Sequence, residues 1–282
     1  VCFIISSLLI AISISFLFLK GLNYGIDFKG GTLIEIQKIT GDADVGHIRE
    51  LIKNIDIGDV QIQEFGNSTD VLIRVEQQMG GDSAQQNVIK LVKGVIGSQY
   101  EFRRVEVVGP KVSSELIYSG ILAVLLAIVA VVLYIWFRFE WQFSIGAMLA
   151  LMHDIIITIG LFSILQLEFN LSIIAAILTI VGYSLNDTVV VYDRIREELR
   201  KYKSMNFLDL LNLAVNATLS RTTITSVTTI LALLSLYIFG GEVIRGFTFA
   251  MIWGVIIGTY SSIFIAAPVL LSLNIKRDWS DS

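Results

Sequence analysis

The sequence predicts a polytopic α-helical membrane protein with six transmembrane helices and one extracytoplasmic α+β domain between the first and second. Three observations predict it. The 282 residues are 54% hydrophobic and only 16% charged, with a mean hydropathy of +0.73, a composition that a water-soluble fold of this size does not carry. The charges are unevenly placed, since Lys20 to Glu115 holds 11 of the 21 Lys/Arg and 14 of the 25 Asp/Glu. Outside that stretch the chain reads as apolar runs of roughly 20 residues, the length that crosses the hydrocarbon of a bilayer.

With charges as boundaries the runs fall into place one by one. They are Val1 to Leu19, Leu116 to Phe137, a run between Glu140 and Glu168 interrupted by His153 and Asp154, a run from Phe169 to Tyr192 interrupted by Asp187, Thr222 to Gly241, and Gly246 to Ile275. The implied divisions are 1–20 for the first helix, 21–112 for the polar domain, 113–275 for a five-helix bundle with a cytoplasmic loop at 193–220, and a tail at 276–282. Lys and Arg in short loops set orientation, because cytoplasmic loops carry them in excess. Arg194, Arg196, Arg200, Lys201, Lys203 and Arg221 occupy the link between spans four and five, and Lys276 and Arg277 the C-terminus. Both termini are therefore predicted inside and the polar domain outside. Phe207, Leu211, Ala214, Val215 and Thr218 share a helical face, which predicts a short helix lying on the membrane surface. Val1 in place of an initiating Met predicts a trimmed N-terminus.

The polar domain opens with Asn23-Tyr24-Gly25-Ile26-Asp27-Phe28-Lys29-Gly30-Gly31, whose glycines suit tight turns. A strand at Thr32 to Gln37 follows, then a helix at Ala43 to Asn54, strands at Val60 to Phe65 and Val71 to Val75, a helix at Asp82 to Gly97 and a strand at Tyr100 to Val108. That order, βαββαβ, is the split ferredoxin-like unit. Val71, Ile73 and Val75 alternate with Leu72 and Arg74, whereas Leu33 and Ile36 do not alternate cleanly. Pro110 is read as the end of the domain.

Several function classes are excluded. A net charge of -4, with no basic run in the polar domain, argues against nucleic acid. One cysteine, Cys2, excludes a disulfide framework and a Cys-based zinc site, and two histidines without an HExxH motif argue against a catalytic metal. No cofactor is expected.

A charge in hydrocarbon costs at least ~2.5 kcal/mol, so each one within a span calls for a partner, a cavity or a function. Asp187 stands about 10 Å along its helix from Arg194, on a side it shares with Thr179, Gly182, Tyr183 and Asn186. An ion-binding acid and a structural carboxylate are the two readings. Arg221, Thr225, Thr228, Thr229 and Ala232 form a hydroxyl stripe on the fifth span, with Arg221 either reaching Asp187 or snorkelling to headgroups. On the third span Gly146, Ala150, Asp154 and Thr158 form an i+4 ladder with His153 alongside, about 20 Å from Glu140. An acid beside an imidazole can relay protons, and an interhelical hydrogen-bonding role is the alternative. Gly246, Ala250, Gly254, Gly258 and Ser262 make the sixth span a close-packing face.

The residues alone support a proton-coupled transporter component with an outer domain. The rivals are an intramembrane hydrolase and a noncatalytic assembly scaffold. The hydrolase needs a nucleophile with a base, or two acids at similar depth; the spacing places Asp154 deeper than Asp187, and neither acid lies in a Gly-x-Gly-Asp context.

One span, an outer domain and five further spans resemble half of a resistance-nodulation-division transporter. The motifs Tyr24-Gly25-Ile26-Asp27-Phe28-Lys29-Gly30-Gly31-Thr32, His153-Asp154, Gly182 through Glu197 and Leu219-Ser220-Arg221-Thr222 resemble the SecD/SecF family, on its SecF side. The resemblance implies a nonenzymatic subunit of the bacterial cytoplasmic (inner) membrane that pairs with SecD. It further implies work with the SecYEG channel, and with YidC and YajC, on a translocating preprotein, driven by a proton or sodium gradient. Residue by residue it implies Asp187 as the ion-binding acid and Arg221 as its charge partner. His153, Asp154, Asn186, Tyr183 and Thr225 are candidates for relay or support.

Overall fold

The computed structural model describes residues 2–78, 80–273 and 275; Val1, Lys276 and Arg277 lie outside these. The chain divides into two compact units, one formed by Tyr24–Ile121 with Glu168–Leu171 and the other by the remaining segments.

The first unit is built on four strands. They are β1 (Gly31–Lys38), β2 (Val60–Phe65), β3 (Asn67–Val75) and β4 (Tyr100–Val108), paired antiparallel in the order β2-β3-β1-β4. α1 (Cys2–Leu19) precedes this unit in the chain; α2 (Val45–Lys53) joins β1 to β2 and α3 (Gly81–Ile96) joins β3 to β4. Asp44 starts α2 as an N-cap, its Oδ1 accepting from the His47 amide at 3.0 Å. Ile34, Ile36, Val71 and Ile73 bury one face of the sheet against Ile48 and Ile52 of α2 and Val88 and Val92 of α3. Leu33 and Leu72 bury the opposite face against Ile26, in the single helical turn Ile26–Lys29. With both faces covered there, β1 has no reason to alternate, and a register irregularity between Glu35 and Ile36 shifts its pairing with β4.

The Gly-rich opening has a steric explanation. Gly30 and Gly31 have φ of +72° and +123°, and a Cβ on Gly31 would collide with the Val75 carbonyl. A Cβ on Gly25 would stand 2.6 Å from Glu168 Oε1 and 3.1 Å from Asn170 Cβ. The 168–171 segment is tied down by an Arg74–Glu168 ion pair, a Gly25 N–H to Phe169 carbonyl bond of 2.9 Å and a Leu171 N–H to Asp27 Oδ2 bond of 2.8 Å. Burial pushes the Glu168 carboxyl above the usual range, and the Arg74 charge opposes that. Gly31→Ala combines left-handed strain with overpacking, and is expected to destabilise this unit by about 2–4 kcal/mol. Hydrogen exchange of β1 and β3 amides in the full chain measures it; unchanged protection would refute the steric account.

The second unit is helical. Among the described residues six helices are long and apolar enough to cross a membrane. They are α1, α4 (Pro110–Arg138, in this unit from Leu122), α5 (Trp141–Leu165), α6 (Leu171–Lys201, in this unit from Ser172), α7 (Phe207–Phe239) and α8 (Glu242–Ser261, continued by a π-helical turn Ser262–Ala266). Pro110 opens α4, since the first helical position needs no N–H donor. The 31 residues of α6 run on to Lys201, and the 33 of α7 begin at Phe207. At 1.5 Å per residue each is about 45–50 Å long, more than the ~30 Å of hydrocarbon.

The separate surface helix is therefore not observed. Phe207 to Phe239 contains no Gly or Pro, Asn206 caps its start by accepting from Leu208 N–H at 2.9 Å, and the helix passes Arg221 without a break. A charge ends an apolar run without ending a helix. Leu210, Leu211 and Ala214 bury in the same cluster as Ile135, Phe139, Phe143, Val191, Tyr192 and Ile195, so that face packs on protein.

The small-residue ladders are close-packing faces. A Cβ on Gly254 would strike Ile180, one on Gly258 would stand 3.0 Å from Ser184 Cβ, and one on Gly146 would stand 3.0 Å from the Ala266 carbonyl. Gly160, which no ladder predicts, does the same for α1: its Cβ would lie 2.7 Å from Ser13 Cα.

Candidate functional site

Two of the buried carboxylates of the helical unit, Asp154 and Asp187, stand within the apolar runs. Asp154 is 1% exposed, and both of its oxygens are engaged. Oδ2 accepts from Ser184 Oγ on α6 and Ser261 Oγ on α8, each at 2.7 Å, and Oδ1 lies 2.9 Å from His153 Nδ1. An ionised Asp154 has only acceptors, so this bond places the proton of a neutral His153 on Nδ1. Its Nε2 is then an acceptor, buried with no partner among the described residues. The ring stacks on Tyr260 at 6.0 Å, and the Tyr260 hydroxyl reaches Ser6 Oγ at 3.0 Å and the Cys2 carbonyl at 3.1 Å. One acid thus joins α5 to α6 and α8, and its histidine neighbour extends the polar contacts to α1.

Asp187 is also buried but differently placed. Its Oδ2 has no hydrogen-bond partner among the described residues, and the Thr259 hydroxyl of α8 and the Arg221 charge both act on the carboxylate. Thr259 Oγ1 also lies 2.7 Å from the Val255 carbonyl and 2.7 Å from Ser226 Oγ on α7. A hydroxyl carries one proton, so Thr259 can serve the Val255 carbonyl or the carboxylate, with Ser226 donating to it in either case.

Arg221 is exposed and forms no ion pair with Asp187 within 4 Å, although its charge acts on that carboxylate. The hydroxyls of its stripe bond their own helix: Thr225 to the Arg221 carbonyl at 2.9 Å, and Thr229 to that of Thr225 at 2.8 Å. Tyr183 OH reaches Thr229 Oγ1 at 3.3 Å. The face of α7 that packs runs through Ala214, Thr218, Thr222 and Ser226, one residue round from the predicted stripe. Asn186, Gly182 and Thr179 are exposed.

The relative depths need correcting. Ser184, which bonds Asp154, lies three residues before Asp187, about 4.5 Å along α6, so the two acids stand within a turn of each other. Depths counted from Glu140 and Arg194 fail because α6 continues to Lys201. The two acids still make no dyad, since His153, Ser184 and Ser261 occupy Asp154. Ser184 enters the sequence reading only inside the 182–197 motif, with no role, and Ser261, Thr259 and Ser226 do not enter it. Their signal was available: each is a small hydroxyl beside or on a face where small residues bring helices together.

Comparison with known proteins agrees with this architecture. The profile described as protein export membrane protein SecD/SecF, C-terminal, matches residues 87–276, and the SecD/SecF GG motif matches residues 15–37. The chain belongs to the SecD/SecF family. The GG motif includes Gly30 and Gly31, whose conformation excludes a side chain. Within the family, the chain is 46% identical to protein translocase subunit SecF of Rhodobacter capsulatus, over 92% of this chain and 82% of that protein. It is 50% identical to SecF of Magnetococcus marinus over 95% and 88%. Against the fused protein translocase subunit SecDF of Brucella abortus identity is 45%, and this chain covers 37% of that protein. The crystal structure of SecDF from Thermus thermophilus, a translocon-associated membrane protein, matches with a TM-score of 0.84 at 35% identity, over 95% of this chain and 37% of that one.

Proposed function

We propose that this chain is a SecF-type subunit of the bacterial Sec export machinery that pairs with a SecD-type partner and uses an ion gradient to promote protein translocation. Family membership supports the export role, and a relative in which the matching segment is about a third of a fused SecDF supports the pairing. The observation that carries the coupling reading is the second acid. Asp187 is buried beside a single hydroxyl with one oxygen unpartnered, on a helix whose neighbouring Thr179, Gly182 and Asn186 stay uncovered by this chain. A small, polar, uncovered stretch within a span suits another bundle packing there and enclosing the acid, as in transporters built from two pseudo-symmetric halves.

In this reading Asp187 takes up and releases the proton (sodium being the other candidate ion), Arg221 biases its charge from a distance, and the Thr259 hydroxyl follows the charge state. Tyr183, Asn186 and Thr225 line the approach. No covalent chemistry on the preprotein and no cofactor is involved. The antiparallel order β2-β3-β1-β4 with α2 and α3 on one face supports a ferredoxin-like fold for residues 21–112. That domain lies outside the cytoplasmic membrane, the loop at 193–220 and both termini lie inside, and the SecYEG channel, YidC, YajC and the preprotein are the partners.

The test is to reconstitute chain, partner half and channel, arrest a preprotein midway after ATP is exhausted, and impose a proton gradient. Forward movement that requires both the gradient and this chain is expected. Movement indifferent to the gradient would leave only a scaffold, and cleavage of the preprotein would reveal a hydrolase.

A further inference from the structure

The boundary between the two units falls inside a helix. Leu171 ends the 168–171 segment of the four-stranded unit and is also the first residue of α6, whose next residue, Ser172, belongs to the helical unit. From Leu171 to Asp187 the helix has no proline and one glycine, Gly182, and it runs unbroken, a stiff rod of about 24 Å. Ser184, which donates to Asp154, rides on the same rod. α4 crosses the boundary too, between Ile121 and Leu122, but it holds no charge from Leu116 to Phe137.

The 168–171 segment is fixed by several contacts within the four-stranded unit. Buried Phe169 lies 6.0 Å from the Phe28 ring and meets Tyr24 edge-on at 6.3 Å, beside the Arg74–Glu168 ion pair and the Gly25 N–H bond already described. The contact to α6 itself is made by Asp27, whose Oδ2 accepts the Leu171 N–H at 2.8 Å. That N–H is one of the four that open a helix with no partner inside it. A carboxylate there also meets the positive end of the helix dipole. The charge is kept at a cost, because it works against the ionised form of Glu168, which Arg74 and Arg104 support against Asp27 and Glu106. A neutral residue would close the turn without that cost, whereas a carboxylate also holds the start of a helix.

We propose that Asp27, in the Gly-rich turn, is a positioning residue for α6: it clamps the first N–H of that helix to the four-stranded unit, so that α6 and that unit move as one. The proposal deepens, and rests on, the reading of Asp187 as the coupling acid. A shift of α6 that follows a change in the charge of Asp187 is carried through this clamp to the four-stranded unit.

The test uses the full chain reconstituted with its partner half and the channel, and reads preprotein movement with and without an imposed proton gradient together with hydrogen exchange. Asp27→Ala removes the acceptor. Leu171→Pro removes the donor alone, because the first helical position accepts proline. Each should leave the β1 and β3 amides protected and movement without a gradient unchanged, while gradient-driven movement falls about tenfold, the lower end of what a hydrogen bond to a charged group is worth. In Asp27→Ala the Leu171 amide should exchange faster by about the same factor. Asp27→Asn keeps an oxygen for the Leu171 N–H and should fall between Asp27→Ala and the unaltered chain. Undiminished gradient-driven movement in Asp27→Ala and Leu171→Pro, where Asp187→Asn has lost it, would overturn the clamp and leave the coupling acid standing. Undiminished movement in all three would overturn the coupling reading and the clamp with it. Normal movement in Leu171→Pro, with β1 and β3 protection lost in Asp27→Ala, would reduce Asp27 to a residue of the turn's own fold and overturn the clamp as well.

Discussion

Asp187→Asn is expected to abolish gradient-driven stimulation of export, down to the level seen without a gradient, in a chain that still folds and assembles. The amide fills the volume of the carboxylate and keeps an oxygen to accept from Thr259, but it cannot take up or release a proton. Its effect on stability runs the other way, because a neutral amide in hydrocarbon escapes the ~2.5 kcal/mol or more that a carboxylate costs. Loss of coupling together with unimpaired stability is thus the specific signature. Measured together, preprotein movement under an imposed gradient and thermal unfolding of the purified chain separate a coupling residue from a structural one. Full stimulation in the variant at normal abundance would sink the assignment. Reduced stability would place Asp187 among the acids that hold helices together.

What could be read from the sequence follows from which physical signals are local. Six spans are legible because hydrocarbon imposes one composition over roughly 20 residues. The strand and helix order of the four-stranded unit is legible from periodicity and turn residues, down to Val60–Phe65 and Tyr100–Val108. The extents of α6 and α7 are not, since charges report where lipid ends and a helix ends only at a cap or breaker. The same error separated Asp154 from Asp187 in depth. The candidate acids stand out because charge in hydrocarbon is costly, whereas their hydroxyl partners do not: Ser184, Ser261, Thr259 and Ser226 are common, nearly neutral residues whose role depends on which helices adjoin. Arg221 shows the converse, an obvious charge that finds no direct ion pair among the described residues.

Asp154→Ala is expected to loosen the helical unit rather than to uncouple it selectively. Removing the carboxylate takes the acceptor from the Ser184 hydroxyl and His153 Nδ1 and leaves the Ser261 hydroxyl only the Gly258 carbonyl of its own helix, all in a region closed to water. Interhelical hydrogen bonds in membranes average about 0.6 kcal/mol and reach about 1.7. Three of them lost at once give a deficit of about 2–5 kcal/mol, with the opened space adding to it. Ser184→Ala removes one bond and should cost about 1 kcal/mol or less. Asp154→Asn should fall between them: its oxygen still accepts, but its NH2 turns toward His153 Nδ1, which accepts only if the ring proton moves to the buried, unpartnered Nε2. The order Ala, then Asn, then Ser184→Ala in thermal unfolding of the full chain is the mark of a clamp joining α5, α6 and α8. The opposite pattern is as informative. Asp154→Asn with wild-type unfolding but no response to the gradient would make the His153–Asp154 pair a proton relay, because an amide within an undisturbed scaffold can fail only at carrying the proton.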